Sequence, residues 1–208
     1  MKEATRAKWK RGETAQGNYR ASREQEFAPP TEIPHDAISI FTDGSAEYDG
    51  KQKKWTSAGF GLIAVEKGTG SEHANGEAIY EHCGPVRIGD HGAQQLTNNV
   101  AELIAFLHAL RWARTAPEAA DRPIILRYDS KYAALISAGV YKAKKNKSLV
   151  SFARDEWKLT HAAKRGKLWM RHVKGHDGNE WNERADSLAN RGRGGRRYQG
   201  ASHGLMVD

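Results

Sequence analysis

A chain of 208 residues with 38% apolar content has room for one core-forming domain plus tails. No apolar stretch approaches the roughly 20 residues of a membrane-spanning helix, and the single cysteine, Cys83, excludes an intrachain disulfide and fits a reducing, intracellular compartment. A net charge of +8 favours a polyanionic partner without identifying nucleic acid.

Residues 1–35 are polar, hold seven basic and five acidic residues, and end in Pro29-Pro30 and Pro34. They read as a flexible basic leader: there is no signal-peptide apolar region, and the acids argue against a transit peptide. Residues 37–42, 57–66 and 77–83 are short apolar or aromatic runs separated by Gly, Asp and Asn, which predicts three strands in an antiparallel meander. Over 99–113, Val100, Leu103, Ile104, Leu107 and Leu110 follow helical spacing. Ile124-Ile125-Leu126 after Pro123 suits a buried strand, and a short helix is expected over 130–137. A longer helix is expected over 149–165 through Phe152, Trp157 and Leu159, then a fifth strand over 168–173 and a last helix over 179–191. Residues 191–208 are rich in Gly and Arg, which sets a flexible tail, 193–208, apart from a domain over 36–192. The order βββαβα(α)βα predicts an α/β fold with a mixed five-stranded sheet flanked by helices.

Four acids stand out: Asp43 in Thr42-Asp43-Gly44, Glu102 in Asn98-Asn99-Val100-Ala101-Glu102, Asp129 before Ser130, and Asp186 in Asn182-Glu183-Arg184-Ala185-Asp186. Each has an ordinary explanation. Asp43-Gly44 suits a tight turn, Glu102 suits an Asn99 capping box, Asp129 or Ser130 suits a helix cap, and Asp186 suits a solvated helix face. As a set they say more. If the first and fourth strands are parallel neighbours, Asp43 and Asp129 share one edge of the sheet, where α/β folds bind ligands. Carboxylates gathered at one point repel unless cations neutralise them, and hard oxygen ligands suit Mg²⁺. His176, in Lys174-Gly175-His176-Asp177-Gly178, suits either an ordinary loop position or a proton shuttle beside those acids. A zinc site on His172 and His176 lacks clustered cysteines.

These residues resemble type 1 ribonuclease H. The matches are Thr42-Asp43-Gly44-Ser45, Thr97-Asn98-Asn99 with Ala101-Glu102-Leu103, Asp129-Ser130, and the string His176, Gly178, Asn182-Glu183, Ala185-Asp186, in the family's order across about 36–192. The resemblance implies that Asp43, Glu102, Asp129 and Asp186 hold two Mg²⁺ ions, with Mn²⁺ as a substitute, and that His176 assists proton transfer or product release. It implies hydrolysis of the RNA strand of an RNA–DNA hybrid by a metal-activated water, leaving 3′-hydroxyl and 5′-phosphate ends, with the ions about 4 Å apart. Asn98 and Asn99 match the pair that reads 2′-hydroxyls in the minor groove. Thr97 resembles a residue that grips a DNA-strand phosphate, and Ser45 and Ala46 follow Asp43 near the RNA strand.

Departures from the family pattern concern the grip on substrate. The loop after Asp43, Ala46 to Lys54, is unusually charged, Asp49 stands where an Asn is expected, and Lys131 stands where Gln is common, suggesting a general phosphate contact. Lys142, Lys144 and Lys145 lie in the densest basic run of the domain, either as a solvated loop or as phosphate contacts; Lys164, Arg165, Lys167, Arg171 and Lys174 form a second basic group. Trp112, Trp169 and Trp181 suit packing better than base stacking. Two other functions compete with hybrid cleavage: a weakly active hybrid-binding module tethered to a reverse transcriptase or larger polyprotein, and a structure-selective DNA nuclease on the same fold. The intact acids favour activity and the Asn pair favours hybrid. A monomer with no membrane association is expected.

Overall fold

The computed structural model describes residues 24–66, 76–175 and 178–200. Strands β1 (Ile38–Asp49), β2 (Lys54–Glu66) and β3 (Glu77–Pro85) form the expected antiparallel meander. Helix α1 (Asn98–Thr115) follows, then β4 (Ile124–Tyr128), α2 (Lys131–Ser137), α3 (Lys147–Lys164), β5 (Leu168–His172), α4 (Glu180–Arg193) and β6 (Tyr198–Gly200). One mixed sheet runs in the order β5-β4-β1-β2-β3-β6.

Alternation along the strands divides the core in two. Ile38, Ile40 and Leu62 face α1 and α3 with Leu103, Leu107 and Trp157. Phe41, Ile63 and Val65 face α4 with Ala185 and Leu188. The central strand β1 is therefore covered on both faces, and β4, buried throughout, pairs with it in parallel, with Thr42 opposite Tyr128. That pairing is the one the shared-edge argument required. A buried carboxylate, Glu156, takes Arg111 at 3.2 Å and Arg114 at 2.7 Å, tying α3 to α1.

The structure differs from the sequence reading in several places. The charged segment after Asp43 is not a loop: β1 and β2 run on through it to a turn at residues 50–53. Tyr48 pairs with Trp55 across the hairpin, and the Asp49 carboxylate accepts from the Lys51 and Gln52 amides at 2.8 and 3.0 Å, closing the turn. Aromatic cross-strand pairing and an Asx-type turn outweigh the polar composition. Inside the expected tail, Tyr198–Gly200 adds a sixth strand to β3, and α4 extends to Arg193. Inside the expected leader, Phe27 is buried, packs edge-on to Trp157 at 5.2 Å, and its carbonyl accepts from the Met170 amide at 2.7 Å. On α3, Trp157 is buried as expected, whereas Phe152 and Leu159 are exposed, and Val150 and Ala153 complete the buried stripe with Trp157. Trp112 is buried and stacks on Tyr80 at 5.2 Å, as a packing role requires.

Candidate active site

Two close approaches bring the acids together. Gly44 faces α1 so tightly that a Cβ there would lie 2.1 Å from the Glu102 nitrogen. Gly61, directly across from Asp43 in the β1–β2 register, faces α4, where a Cβ would lie 2.4 Å from the Ala185 carbonyl oxygen. Without side chains at these points, both helices approach β1, and Glu102 and Asp186 arrive beside Asp43. Asp129 follows Tyr128, the last residue of β4, and so sits next to Asp43 along the same sheet edge.

The result is a cluster of oxygens. Asp43, Glu102 and Asp129 each offer a carboxylate oxygen, all within 4.8 Å of one another. Asp186 lies outside that triplet but close enough to Asp43 to help raise its carboxyl. Asp43 and Glu102 are each 7% exposed. Burial, then the neighbouring Asp129, pushes the Asp43 carboxyl up from 3.8 to about 8. Burial, then Asp43 and Asp129, holds Glu102 well above the usual carboxylate range. Buried acids that resist ionisation together form a donor set awaiting positive charge, and their hard oxygens fit Mg²⁺.

Polar neighbours fix the carboxylates. The Gly44 amide donates to Asp43 Oδ1 at 2.8 Å, Asn98 Nδ2 donates to Glu102 Oε1 at 3.4 Å, and Asn190 Nδ2 donates to Asp186 Oδ1 at 3.1 Å. Ser45 Oγ donates to Asn190 Oδ1 at 2.7 Å, which links β1 to α4 beside the cluster. Asn190 escaped the sequence reading. Its signal was position alone, one helical turn after Asp186. The capping box is also corrected: Thr97 caps α1, accepting from the Val100 amide, so Asn98 and Asn99 are the first helical residues and stay exposed. Ser130, not Asp129, caps α2. His176 and Asp177 lie outside the described residues.

The expected substrate residues divide. Thr97, Asn98, Asn99, Lys142, Lys144 and Lys145 line one groove of about 590 Å³, together with Trp55, Gln95, Tyr132 and Asn146, which sequence reasoning missed. Ala46 is half-buried against the core, Ser45 is bound to Asn190, and Lys131 lies 3.5 Å from Glu24. The second basic group does not form one surface. Lys164 is buried and donates to the Ala119 carbonyl, and Lys167 donates to the Asp121 carbonyl at 3.2 Å.

Comparison with known proteins places this geometry. The family described as RNase H matches residues 35–193. A ribonuclease H of Phenylobacterium zucineum is 37% identical over 164 residues, covering 74% of this chain and 89% of the relative. A ribonuclease H of Pseudomonas entomophila is 29% identical over 172 residues, covering 76% and 93%. Among solved structures, LC11-RNase H1 in complex with RNA/DNA hybrid shares 25% identity at a TM-score of 0.53, covering 76% of this chain and 96% of that one. The prototype foamy virus protease-reverse transcriptase shares the fold at 22% identity and a TM-score of 0.57, and the match spans 22% of that chain.

Proposed function

The chain belongs to the ribonuclease H family, and from that premise we propose that it is an endonuclease hydrolysing the RNA strand of RNA–DNA hybrids with two Mg²⁺ ions, leaving 5′-phosphate and 3′-hydroxyl ends. The observation that carries this reading is the convergence of Asp43, Glu102 and Asp129 within 4.8 Å. The LC11-RNase H1 complex with an RNA/DNA hybrid supports the substrate.

Asp43, Glu102, Asp129 and Asp186 would hold the ions, with Mn²⁺ able to replace Mg²⁺. When bound, the ions supply a lowered water pKa for the nucleophile and positive charge for the leaving oxygen. The remaining chemistry belongs to the chain. The Gly44 amide, Asn98 and Asn190 aim the carboxylates, as outer partners of metal ligands do. Asn98 and Asn99, exposed at the start of α1, offer amide groups to 2′-hydroxyls, the atoms that distinguish RNA from DNA. Thr97, Lys142, Lys144 and Lys145 face phosphates across the groove, with Lys131, Ser45 and Ala46 as further contacts. His176 assists proton transfer or product release. The protein acts as a monomer in a reducing compartment, where Cys83 stays a buried thiol.

The test is cleavage of a labelled RNA–DNA hybrid with Mg²⁺, run beside duplex DNA and duplex RNA, with the product ends mapped. Selective cutting of the RNA strand to 5′-phosphate ends is expected. An uncut hybrid at all Mg²⁺ and Mn²⁺ concentrations would overturn the assignment.

A further inference from the structure

Three histidines from three parts of the chain meet around a cavity for which strand cleavage has no use. His82 stands on β3, His108 on α1, and His91 in the turn over residues 89–92. With Phe60 and Arg197 they line a cavity of about 400 Å³. His108 stacks on Phe60 at 4.3 Å, His82 meets His108 edge-to-face at 5.0 Å, and His91 meets it at 5.8 Å. Their nitrogens are not gathered as metal ligands are. Among the described residues only Asp43, Glu102 and Asp129 form a set of three with ligand atoms within 4.8 Å of one another.

The turn that carries His91 is strained. Gly89, His91 and Gly92 have φ of 95°, 48° and 81°, and for His91 the left-handed conformation costs free energy that its surroundings must offset. The turn bonds to itself: the Gly89 amide donates to the Ala93 carbonyl and the Ala93 amide to the Asp90 carbonyl, both at 2.8 Å. Packing fastens it to the domain, with His91 on His108 and Phe152 and Gly92 close against Ser148.

That packing needs neutral rings. Burial, then His82, His91 and Arg111, lowers His108 from 6.5 to about 3. Burial, then Arg111, lowers His91, and burial lowers His82. The acids nearest the cluster are already engaged. The Asp90 carboxylate accepts from the Arg87 amide at 2.7 Å, and Glu156 lies between Arg111 and Arg114. From the β3 and β6 side come Arg197, Tyr198 and Gln199, none of them an acid, while burial pushes up Tyr80 and Cys83 and keeps them neutral.

We propose that His82, His91 and His108 form an acid-sensitive latch: neutral, they pin the 89–92 turn to α1; protonated, they repel one another and release it. A released turn takes up protons at the ordinary histidine pKa of about 6.5, which the latched turn refuses. Latching is therefore complete above that pH and weakens as pH falls below it. The turn leads on to Gln95 in the substrate groove and to Thr97, the cap of α1, so release reaches the wall of that groove. The latch itself is independent of the nuclease reading.

Hydrogen exchange followed by NMR in the full chain with EDTA, corrected for intrinsic exchange rates, tests it. Between pH 7 and pH 5 the amides of residues 89–93 should lose about tenfold or more of their protection, at up to about tenfold per unit for each proton taken up. The amides of β4 should keep theirs. His108→Phe keeps a ring against Phe60 without the proton site, and His91→Asn keeps a side chain that tolerates the left-handed turn. In both variants the protection of the turn should be nearly equal at the two pH values. Equal protection in the wild type, or a fall as steep in the variants, overturns the latch. A parallel loss at β4 also overturns it, because the acid effect is then global unfolding. Should His108→Phe fail to fold, His91→Asn decides.

Discussion

Gly44 and Glu102 meet backbone to backbone: a Cβ on Gly44 would lie 2.1 Å from the Glu102 nitrogen and 2.4 Å from the Ala101 carbonyl carbon. Nothing at that contact is a flexible side-chain end, so a methyl group must push α1 away from β1. Overpacking of this kind costs about 1–3 kcal/mol or more. Gly44→Ala is expected to lower the urea midpoint and, because Glu102 moves with its helix, to weaken Mg²⁺ binding by calorimetry. An unchanged midpoint together with unchanged Mg²⁺ affinity would show that the helix gives way freely.

Asp43 links stability to pH in the metal-free protein. Its carboxyl rises from 3.8 to about 8 on folding, chiefly through burial. The folded state therefore keeps a proton that the unfolded chain releases above about pH 4. This contribution is complete below about pH 4 and is lost as pH climbs through about 8. With metal chelated, the melting temperature should fall between pH 6 and 8.5, and Asp43→Asn should flatten that slope. A wild-type profile as flat as that of the variant would remove Asp43 from the linkage.

The same proton competes with the cation. Carboxylates must ionise to ligate, so apparent Mg²⁺ affinity should rise with pH up to about 8, by at most about tenfold per unit for each proton displaced. Asp43→Asn removes a charge and an oxygen ligand without changing shape. It should abolish cleavage and leave hybrid binding in EDTA within a few fold of wild type. A variant that cuts at the wild-type rate would take Asp43 out of the metal site.

Much of this site was legible because the motifs are local and the rule joining them is topological. Thr42-Asp43-Gly44 ends an inward-facing run, Asp129 ends another, and one parallel pairing makes them neighbours. The helical spacing around Leu103 and Leu107 placed Glu102 on a buried helix in the same way. What stayed illegible depends on single long-range contacts. Tyr198 becomes a strand because β3 has a free edge, and no run of Gly and Arg announces that. Asn190 matters because Asp186 and Ser45 both reach it, and Ser45 is 145 residues away in the chain. Trp55 enters the groove because β1 and β2 extend past the point where composition turns polar.

The lysines of the groove are expected to act through counterion release. Each phosphate contact contributes about 0.7–0.9 to the slope of log affinity against log salt. Replacing Lys142, Lys144 and Lys145 by Gln should then lower that slope for hybrid binding by about 2–3 in total. These lysines are exposed, so stability should hardly change. An unaltered slope would assign them to solvent.

Phe27 tests where the folded unit begins. Its ring lies 5.2 Å from Trp157 and 6.4 Å from His161, and its carbonyl accepts from the Met170 amide on the edge strand β5. The residue covers α3 and occupies a hydrogen-bonding position on that edge, which would otherwise be open to pairing with another chain. Truncating a buried Phe costs about 3–5 kcal/mol, although a site near the surface, 9% exposed here, favours the lower figure. Phe27→Ala is expected to lower unfolding free energy in urea by about 3 kcal/mol. Removing residues 1–30 should lower the midpoint below that of a chain lacking 1–23 by about the Phe27→Ala loss, and expose the β5 edge to self-association by light scattering. If removal of 1–30 costs no more than removal of 1–23, the ring lies on the core without stabilising it, and the domain begins at β1.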